Sequence, residues 1–336
     1  NGLFRITFEN CSSLTSIDVS NWDVSNALYL NGIFSDSPLL AELDVSKWDT
    51  SNCEEMYAVF KGCASLKTVD VSKWDTSKVN DMSNMFWDCT LLEYIDVSKL
   101  DVSNVTDMSY MFSSCSRLTD INVSNWNVGN VTTMQSAFSS CGYLRNLDVS
   151  NWNVSKVTNM QDMFQSCSTI YALDVSKWNT SSLTNARGLF KYCSNITTFD
   201  FSNWNTSKVT NMQEMFQQCY GLTTLDLRSF DTTNVTTMYA MFQDCEKLKV
   251  LDISTWTGEK LTNINSMFRR CKVLEKVDMR NLNTSKLTST NYAFLDIPAN
   301  CLFIVKDDTE KAKILSIRNT LTNVKTLAEY QAEGGV

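Results

Sequence analysis

The chain has 336 residues, of which 43% are hydrophobic and 20% charged, and its net charge is −8. This composition is typical of a folded protein with a packed core and disfavours intrinsic disorder. The negative charge disfavours nucleic acid and anionic membranes as partners, because both require a basic surface. No apolar run reaches the roughly 18–20 residues that span a bilayer, so we expect no direct membrane insertion.

Phenylalanine recurs every 26 residues along most of the chain. A fixed period over twelve copies predicts a solenoid of about 11–12 coils, each stacked on the one before it, over residues 1–297. The chain begins in mid-repeat, so we interpret residue 1 as a processing boundary and give no weight to the missing export signal. The column comprises Phe8, Phe34, Phe60, Phe86, Phe112, Phe138, Phe164, Phe190, Phe216, Phe242, Phe268 and Phe294.

One coil shows the predicted elements in chain order. Residues 66–71 follow the pattern L-x-x-L-x-L, which is typical of a leucine-rich-repeat strand. Residues 72–77 are rich in turn formers, and Ser77 is placed to cap a helix. Over residues 79–89, apolar side chains recur at spacings of three and four, which predicts a short amphipathic helix. The fold class is therefore an α/β solenoid, a right-handed superhelix with one short parallel strand and one short helix per coil.

Ten of the twelve cysteines occupy one column, three residues after the phenylalanine. Stacked coils place such neighbours about 4.8 Å apart with parallel Cα–Cβ bonds, whereas a disulfide needs Cβ atoms about 3.8 Å apart that converge. We therefore predict reduced, buried thiols, with Cys301, beyond the array, the most reactive. A metal site is disfavoured, because the chain has no histidine and no C-x-x-C pair. The column holds Cys11, Cys63, Cys89, Cys115, Cys141, Cys167, Cys193, Cys219, Cys245 and Cys271.

Tryptophan fills another column in eight coils, and Leu100, Phe230 and Leu282 fill it elsewhere, so this position requires an apolar side chain of some size. We predict that the indole packs inside and donates its N–H to a carbonyl; a platform for stacking sugars is the alternative. The tryptophans are Trp22, Trp48, Trp74, Trp126, Trp152, Trp178, Trp204 and Trp256.

A column of aspartates lies within the predicted strands, one residue in each coil, and Asn122 takes the place of aspartate in one coil. Its side chains point away from the core, and neighbouring carboxylates about 5 Å apart repel unless cations or hydroxyls intervene. We expect a ladder in which each aspartate is hydrogen-bonded to the serine column, with calcium binding as the alternative. The column comprises Asp18, Asp44, Asp70, Asp96, Asp148, Asp174, Asp200, Asp226, Asp252 and Asp278.

Residues 147–167, L-D-V-S-N-W-N-V-S-K-V-T-N-M-Q-D-M-F-Q-S-C, contain the recurring positions of one repeat, from the strand to the cysteine. The pattern resembles the BspA-like leucine-rich repeats of bacterial surface proteins, over about residues 8–294. The resemblance implies the leucine-rich-repeat fold and an exported, adhesin-type protein, extracellular or on the bacterial cell surface. It also implies a protein or glycan partner on a host or neighbouring cell. Related repeats occur in phage, so a phage-borne receptor-binding protein is an alternative.

The pattern decays after Phe294, where Ile297 takes the place of the cysteine and Pro298 ends the array. Residues 301–305 predict a strand, residues 307–320 a helix with acidic residues in its first turn, and residues 323–330 a further short strand. We interpret residues 298–336 as a strand-helix-strand cap over the end of the core, with a small functional domain as the alternative.

The inventory of side chains disfavours an enzyme and a cofactor, because histidine, the usual general base, and glycine-rich nucleotide motifs are missing. A non-catalytic binding protein is favoured, with a spacer that presents another domain as the alternative; the sequence does not predict the oligomeric state. We predict that the partner is bound through the concave face and a variable edge beside it, formed by the columns on either side of the Cys-x-x-Leu turn, where aromatics of the kind found at binding hot spots collect. The predicted partner-binding residues are Trp87, Tyr94, Tyr143, Tyr171, Tyr192 and Tyr220.

Overall fold

The computed structural model describes residues 8–335. The chain divides into two compact units, Asn1–Leu173 and Asp174–Val336. In the first unit Glu55 pairs in parallel with Asp81, and in the second Asn211 pairs with Thr237, each 26 residues along the chain. Each unit is therefore a stack of coils in which every residue lies beside its equivalent in the next repeat. The leucine-rich-repeat solenoid predicted from the period is confirmed.

The strands of the second unit form one parallel sheet with the order β1-β2-β3-β4. Leu251 pairs with Val277 and Val277 with Phe303, so the 26-residue register continues beyond the last phenylalanine of the column. The elements of the described chain are β1 (Val250–Asp252), β2 (Lys276–Asp278), β3 (Leu302–Val305), α1 (Asp308–Ile317), β4 (Val324–Thr326) and α2 (Leu327–Ala332).

In the other coils the predicted strands are reduced to single parallel bridges, arranged in two ladders. The first ladder follows the predicted strands, as in the bridge between Tyr94 and Asp120. The second ladder lies on the segment that was predicted to be helical, and its bridges link Asp81 to Asp107 and Asp107 to Thr133. Coils are thus paired along two lines, the first with bridges in only some of the coils, and the sequence pattern predicted only that first line.

The helix predicted for each coil is wrong. Between residues 79 and 89 the backbone of Asn84 has φ 60° and that of Asp88 has φ 61°, the left-handed conformation that ends a right-handed helix. Local hydrogen bonds join the N–H of Trp87 to the carbonyl of Asn84 and the N–H of Cys89 to that of Phe86, both at 3.1 Å. These are the bonds of consecutive β-turns, which reverse direction every few residues.

The remaining N–H groups of the same segment point to the next coil. The N–H of Met82 donates to Asp107, that of Asn84 to Ser109 and that of Phe86 to Met111, over 2.8–3.2 Å. Alternate N–H groups therefore bond within a turn and between coils, whereas an α-helix would use all of them internally. Apolar residues spaced three and four apart, which favoured a helix, also point into the core when the backbone forms consecutive β-turns.

The core consists of aromatic columns that run from coil to coil. The rings of Phe86 and Phe112 stack with centroids 5.3 Å apart, and those of Phe242 and Phe268 with centroids 5.6 Å apart. Stacked rings bury a large apolar area at the same position in every coil, which fixes the register between coils.

The tryptophan column packs inside, as predicted. Trp48 and Trp74 stack with centroids 6.1 Å apart, and both are at most 3% exposed. The Nε1 group of Trp74 donates to the carbonyl of Val45 in the preceding coil at 3.2 Å. The alternative, a tryptophan platform for sugars, is wrong, because a buried indole has no face free for a ligand.

All twelve cysteines are free thiols, and eleven of them are buried. In the column the Sγ atom donates to the phenylalanine carbonyl of the preceding coil, as Cys89 does to Phe60 at 3.1 Å. Burial raises the pKa of Cys63 to about 12, since an apolar site disfavours the thiolate. The expectation for Cys301 is wrong: it is 1% exposed, next to β3, while Cys11 is half-buried.

The segment after the array contains the predicted elements. β3 and α1 lie within the ranges predicted for them, and Asp307 caps α1 by accepting from the N–H groups of Thr309 and Glu310. β4 is shorter than the strand predicted over residues 323–330, because α2 begins at Leu327 with a capping box between Thr326 and Glu329. That residues 298–336 form a separate cap stays a prediction.

Candidate binding surfaces

The outward side chains around the first ladder form a surface that we call the strand face: the aspartate column and the columns two residues before and after it. On this face the Oδ1 atom of Asp70 accepts from the N–H of Ser72 at 3.0 Å and from its Oγ at 2.6 Å. These bonds lower the pKa of Asp70, because they favour the charged carboxylate. The predicted Asp/Ser ladder is therefore present. The aspartates bonded in this way include Asp18, Asp44, Asp70, Asp96 and Asp174.

The same short turn recurs at two further corners of the coil. Asp75 accepts from the N–H of Ser77 at 3.0 Å, and Asp81 accepts from the N–H and Oγ of Ser83 at 2.8 and 2.6 Å. At Asp81 burial outweighs these bonds and raises the pKa. Within residues 8–335 the structure has no group of three or more cysteine, aspartate or glutamate side chains arranged to hold a metal ion. The aspartates thus serve as turn formers along three columns.

Two of the six predicted binding residues, Trp87 and Tyr192, are half-buried. The ring of Trp87 lies 5.3 Å from that of Tyr110, and the Nζ atom of Lys61 lies 5.1 Å from its centroid. The Nζ atom of Lys191 lies 5.4 Å from the ring centroid of Tyr192. Both rings take part in cation–π contacts within the chain, which occupy part of their faces.

The other four predicted residues are exposed. The exposed fraction is 60% for Tyr94, 51% for Tyr143, 68% for Tyr171 and 39% for Tyr220. The guanidinium of Arg117 lies 5.4 Å from the ring of Tyr143, in the same column one coil earlier. Among the described residues the structure stacks none of the six predicted rings on another, so they are separate contact points.

Exposed apolar side chains are concentrated in one part of the coil, the five residues that follow the cysteine column, which we call the post-cysteine edge. In the first unit it carries five of the seven large exposed apolar residues described, and in the second unit three of five. Five positions out of 26 would carry only about a fifth of them if exposure were evenly spread. The residues of the edge are Leu39, Leu91, Tyr94, Tyr143 and Tyr171 in the first unit and Tyr220, Val250 and Val273 in the second.

The structure also shows a feature that the sequence reasoning missed, on the strand face of the second unit. Arg228 stands in the serine column and binds Asp226 with two nitrogens, Nε at 3.0 Å and Nη2 at 2.7 Å. It lines a groove of about 530 Å³ together with Phe199, Asp200 and Phe201. Arg228 and Arg280 are the two arginines in a column of serines, and this could have been read from the sequence.

In the described part of the chain no helix is both long enough and apolar enough to cross a membrane. The chain matches the family described as "Mycoplasma protein of unknown function, DUF285" over residues 4–120, 89–201 and 189–301. The match is to a bacterial family and occurs three times along the array. It confirms the resemblance to the BspA-like repeats. No curated protein matches the chain.

Several solved structures are similar to the chain at low sequence identity. A leucine-rich repeat protein from Eubacterium ventriosum is 18% identical with a TM-score of 0.48, over 86% of this chain and 78% of that one. A leucine-rich cell surface protein from Faecalibacterium prausnitzii is 15% identical with a TM-score of 0.39, over 88% and 86%. A leucine-rich repeat protein from Leptospira interrogans is 9% identical with a TM-score of 0.30, over 94% of each chain.

Proposed function

Because the chain belongs to the DUF285 family, whose function is unknown, we propose from its surface that it is a non-catalytic, adhesin-type binding protein. Its partner is a protein or glycan on a host or neighbouring cell, and its place is outside the cell or on the bacterial surface. The stacked coils of each unit supply the scaffold, and the post-cysteine edge supplies the contacts.

The observation that carries this proposal is the concentration of exposed apolar side chains on the post-cysteine edge. Tyr171 exposes 68% and Tyr94 60% of its surface, although other coils carry polar residues such as Lys67 and Asp120 at the equivalent positions. Exposed tyrosines are enriched at binding hot spots, because a large rigid ring loses little conformational entropy when it is buried by a partner. Scattered apolar residues are normal on any surface, whereas a series along one edge marks an interaction site.

The burial of the thiols is compatible with an extracellular place. An oxidising compartment acts on thiolates that are accessible, and burial raises the pKa of Cys167 and of Cys301 to about 12. The column can therefore stay reduced outside the cell without forming bridges.

The experiment compares matched tyrosines on and off the edge. Beads coated with the protein are applied to a panel of bacterial and animal cells, and their retention is measured. We expect a variant with Tyr94→Ala, Tyr143→Ala, Tyr171→Ala and Tyr220→Ala to lose at least about tenfold in retention, since truncation at a hot spot costs about 2 kcal/mol or more.

The control removes Tyr57 and Tyr292, which are 43% and 65% exposed and lie outside the edge. It should bind like the unchanged protein. If this control loses binding while the edge variant keeps it, or if residues 298–336 alone account for binding, the edge is the wrong surface. If the unchanged protein binds no cell of the panel, the alternative of a spacer is favoured.

A further inference from the structure

In the second unit several neighbouring positions, on the strand face and directly beneath it, depart from the residues of the other coils. Phe199 and Phe201 replace the aliphatic residues of other coils, Arg228 replaces serine, Ser229 replaces asparagine or lysine, and Phe230 replaces tryptophan. Four of these five side chains line the groove of about 530 Å³, and Phe230 lies under it. A volume of this size is in the range of sites for small ligands.

Part of this change has a structural explanation. Phe230 has no N–H for the carbonyl of Phe201, and the Oγ of Ser229 donates to that carbonyl at 3.0 Å instead. In the next coil the regular arrangement returns, since Nε1 of Trp256 donates to Leu227 at 3.1 Å. Ser229 therefore restores the hydrogen bond, and because it is shorter than asparagine or lysine it leaves the groove open.

Arg228 has no such structural explanation. In other coils the serine in its column satisfies the aspartate by itself, as Ser176 does for Asp174 with both N–H and Oγ. The side chain of Arg228 is 60% exposed, and the two bonds to Asp226 hold its guanidinium in one orientation. Within residues 8–335 its remaining N–H groups make no hydrogen bond, so the groove has donors at a fixed position.

Acceptors lie on both sides of these donors. Asp200 accepts the backbone N–H of Ser202 and Asp252 that of Ser254, each at 2.9 Å, and in the described part of the chain neither accepts a hydroxyl. They stand one coil before and one coil after Asp226, about 5 Å away in each direction. Along the stack the groove therefore offers the carboxylate of Asp200 and the guanidinium of Arg228 paired with Asp226. The adjoining groove, which Arg228 also lines, offers the carboxylate of Asp252.

We propose that this surface, the Arg228 groove, binds a neutral saccharide unit of a glycan. It rests on the proposed binding function and assigns the chemistry of one subsite. Sugar hydroxyls donate and accept at once, so neighbouring hydroxyls can bond to Asp200 and to Arg228 together. Three carboxylates stand against one guanidinium here, which disfavours sialylated or sulfated glycans. Phe199 and Phe201 line the groove but are only 6% and 2% exposed, so they supply a small apolar part of its wall and the hydroxyls of the sugar make the main contacts.

The array itself supplies the variants for a test. Arg228→Ser restores the residue of neighbouring coils, and Asp200→Asn copies Asn122, whose Oδ1 accepts from Ser124 in the same kind of turn. Both variants should fold. The matched control is Arg280→Ser, because Arg280 binds Asp278 in the same way but is only 23% exposed and is not among the residues that line the Arg228 groove.

The probe is a glycan microarray with neutral, sialylated and sulfated glycans, printed beside peptides rich in lysine and arginine. We expect binding to neutral glycans, at least tenfold weaker in Arg228→Ser and Asp200→Asn and unchanged in Arg280→Ser. Calorimetry with the best glycan then gives the change in Kd.

Other outcomes overturn the proposal. These are binding to no glycan, preference for anionic glycans, preference for the basic peptides, or equal binding by all variants. The four-tyrosine edge variant separates this subsite from the proposed function: it should lose cell retention and keep the neutral glycans. If only the edge variant loses the glycans, the binding function stands and the Arg228 groove does not.

Discussion

A coil inside the array and the last coil satisfy the same backbone groups in different ways. The carbonyl of Phe86 accepts from the N–H of Cys89 and from Sγ of Cys115 in the next coil, both at about 3.1–3.2 Å. The carbonyl of Phe294 accepts instead from Nη1 of Arg318, whose Nη2 donates to Ile297 at 3.1 Å. A repeat is completed by its own copy, whereas the end of the array needs a side chain that reaches several carbonyls at once.

The largest effect is expected inside the array. Phe112→Ala removes a ring that lies 5.3 Å from Phe86 and 5.6 Å from Phe138. The cavity left in a stack that is repeated on both sides should lower the free energy of unfolding of the first unit by about 3–5 kcal/mol. Chemical denaturation followed by tryptophan fluorescence measures this change. Leu91→Ala, on the exposed edge, is the control and should change stability by less than about 0.5 kcal/mol.

At the end of the array the expected effect is smaller and local. Arg318→Gln removes the donors to Phe294 and Ile297 and leaves two carbonyls short of a partner, which should cost about 2 kcal/mol. Hydrogen exchange should show faster exchange in residues 294–305 and no change near residue 112. Lys306→Gln, an exposed change nearby, is the control. If residues near 112 lose protection equally, Arg318 stabilises the whole chain and not the last coil.

A third prediction tests whether a serine hydroxyl can replace the indole N–H as the donor to a carbonyl of the preceding coil. Trp126→Phe removes the N–H that reaches Val97 at 3.1 Å, and should lower stability by about 1 kcal/mol, since Val97 keeps its bond from Leu100. Adding Asn125→Ser recreates the pair found at Ser229 and Phe230. The double variant should recover part of the loss, measured by thermal unfolding. Equal stability of the single and double variants would show that Ser229 does not compensate for the missing indole.

The sequence predicted the buried positions well. Each core position recurs about a dozen times, so one unusual residue in one coil does not obscure the preference of the column for an apolar side chain. The error lay in the backbone between Val79 and Cys89. Periodicity reports which side chains are inside, and consecutive turns produce the same spacing as a helix. Gly32, Asn84 and Gly188 in one column point to left-handed turns, but Tyr110 and Tyr192 also adopt them, so residue type alone was not decisive.

The surface was less predictable than the core. The exposure of Tyr94 and Tyr171 follows from their places beside the inward residues Ile95 and Ile170, and the sequence located them. Trp87 is also an aromatic residue in a variable column, but its ring lies against Tyr110 and Lys61. These contacts join different coils, and aligned repeats do not show them. The Arg228 groove depends on side-chain volume across neighbouring coils, which is a property of the packed structure.

The smallest expected effect concerns a single carboxyl group of the strand face. Ser72→Ala removes the Oγ donor from Asp70 and leaves the backbone N–H in place. The Oγ bond is the largest cause that lowers the pKa of Asp70, so this pKa should rise toward its ordinary value while that of Asp96, bonded to Ser98, stays low.

Carbon NMR of the side-chain carboxyls, titrated with acid, measures both groups of that variant in one sample. Because the folded pKa of Asp70 lies below the unfolded value of about 3.9, its contribution to stability is complete above that pH. The contribution is lost as the pH falls through the folded pKa, so Ser72→Ala should lower stability slightly above about pH 4, pH 7 included, and this difference from the unchanged protein should disappear in more acidic solution. An unchanged titration of Asp70 would mean that its N–H bond alone holds the carboxylate. In that case the serine column would contribute to turn geometry and not to the charge of the strand face.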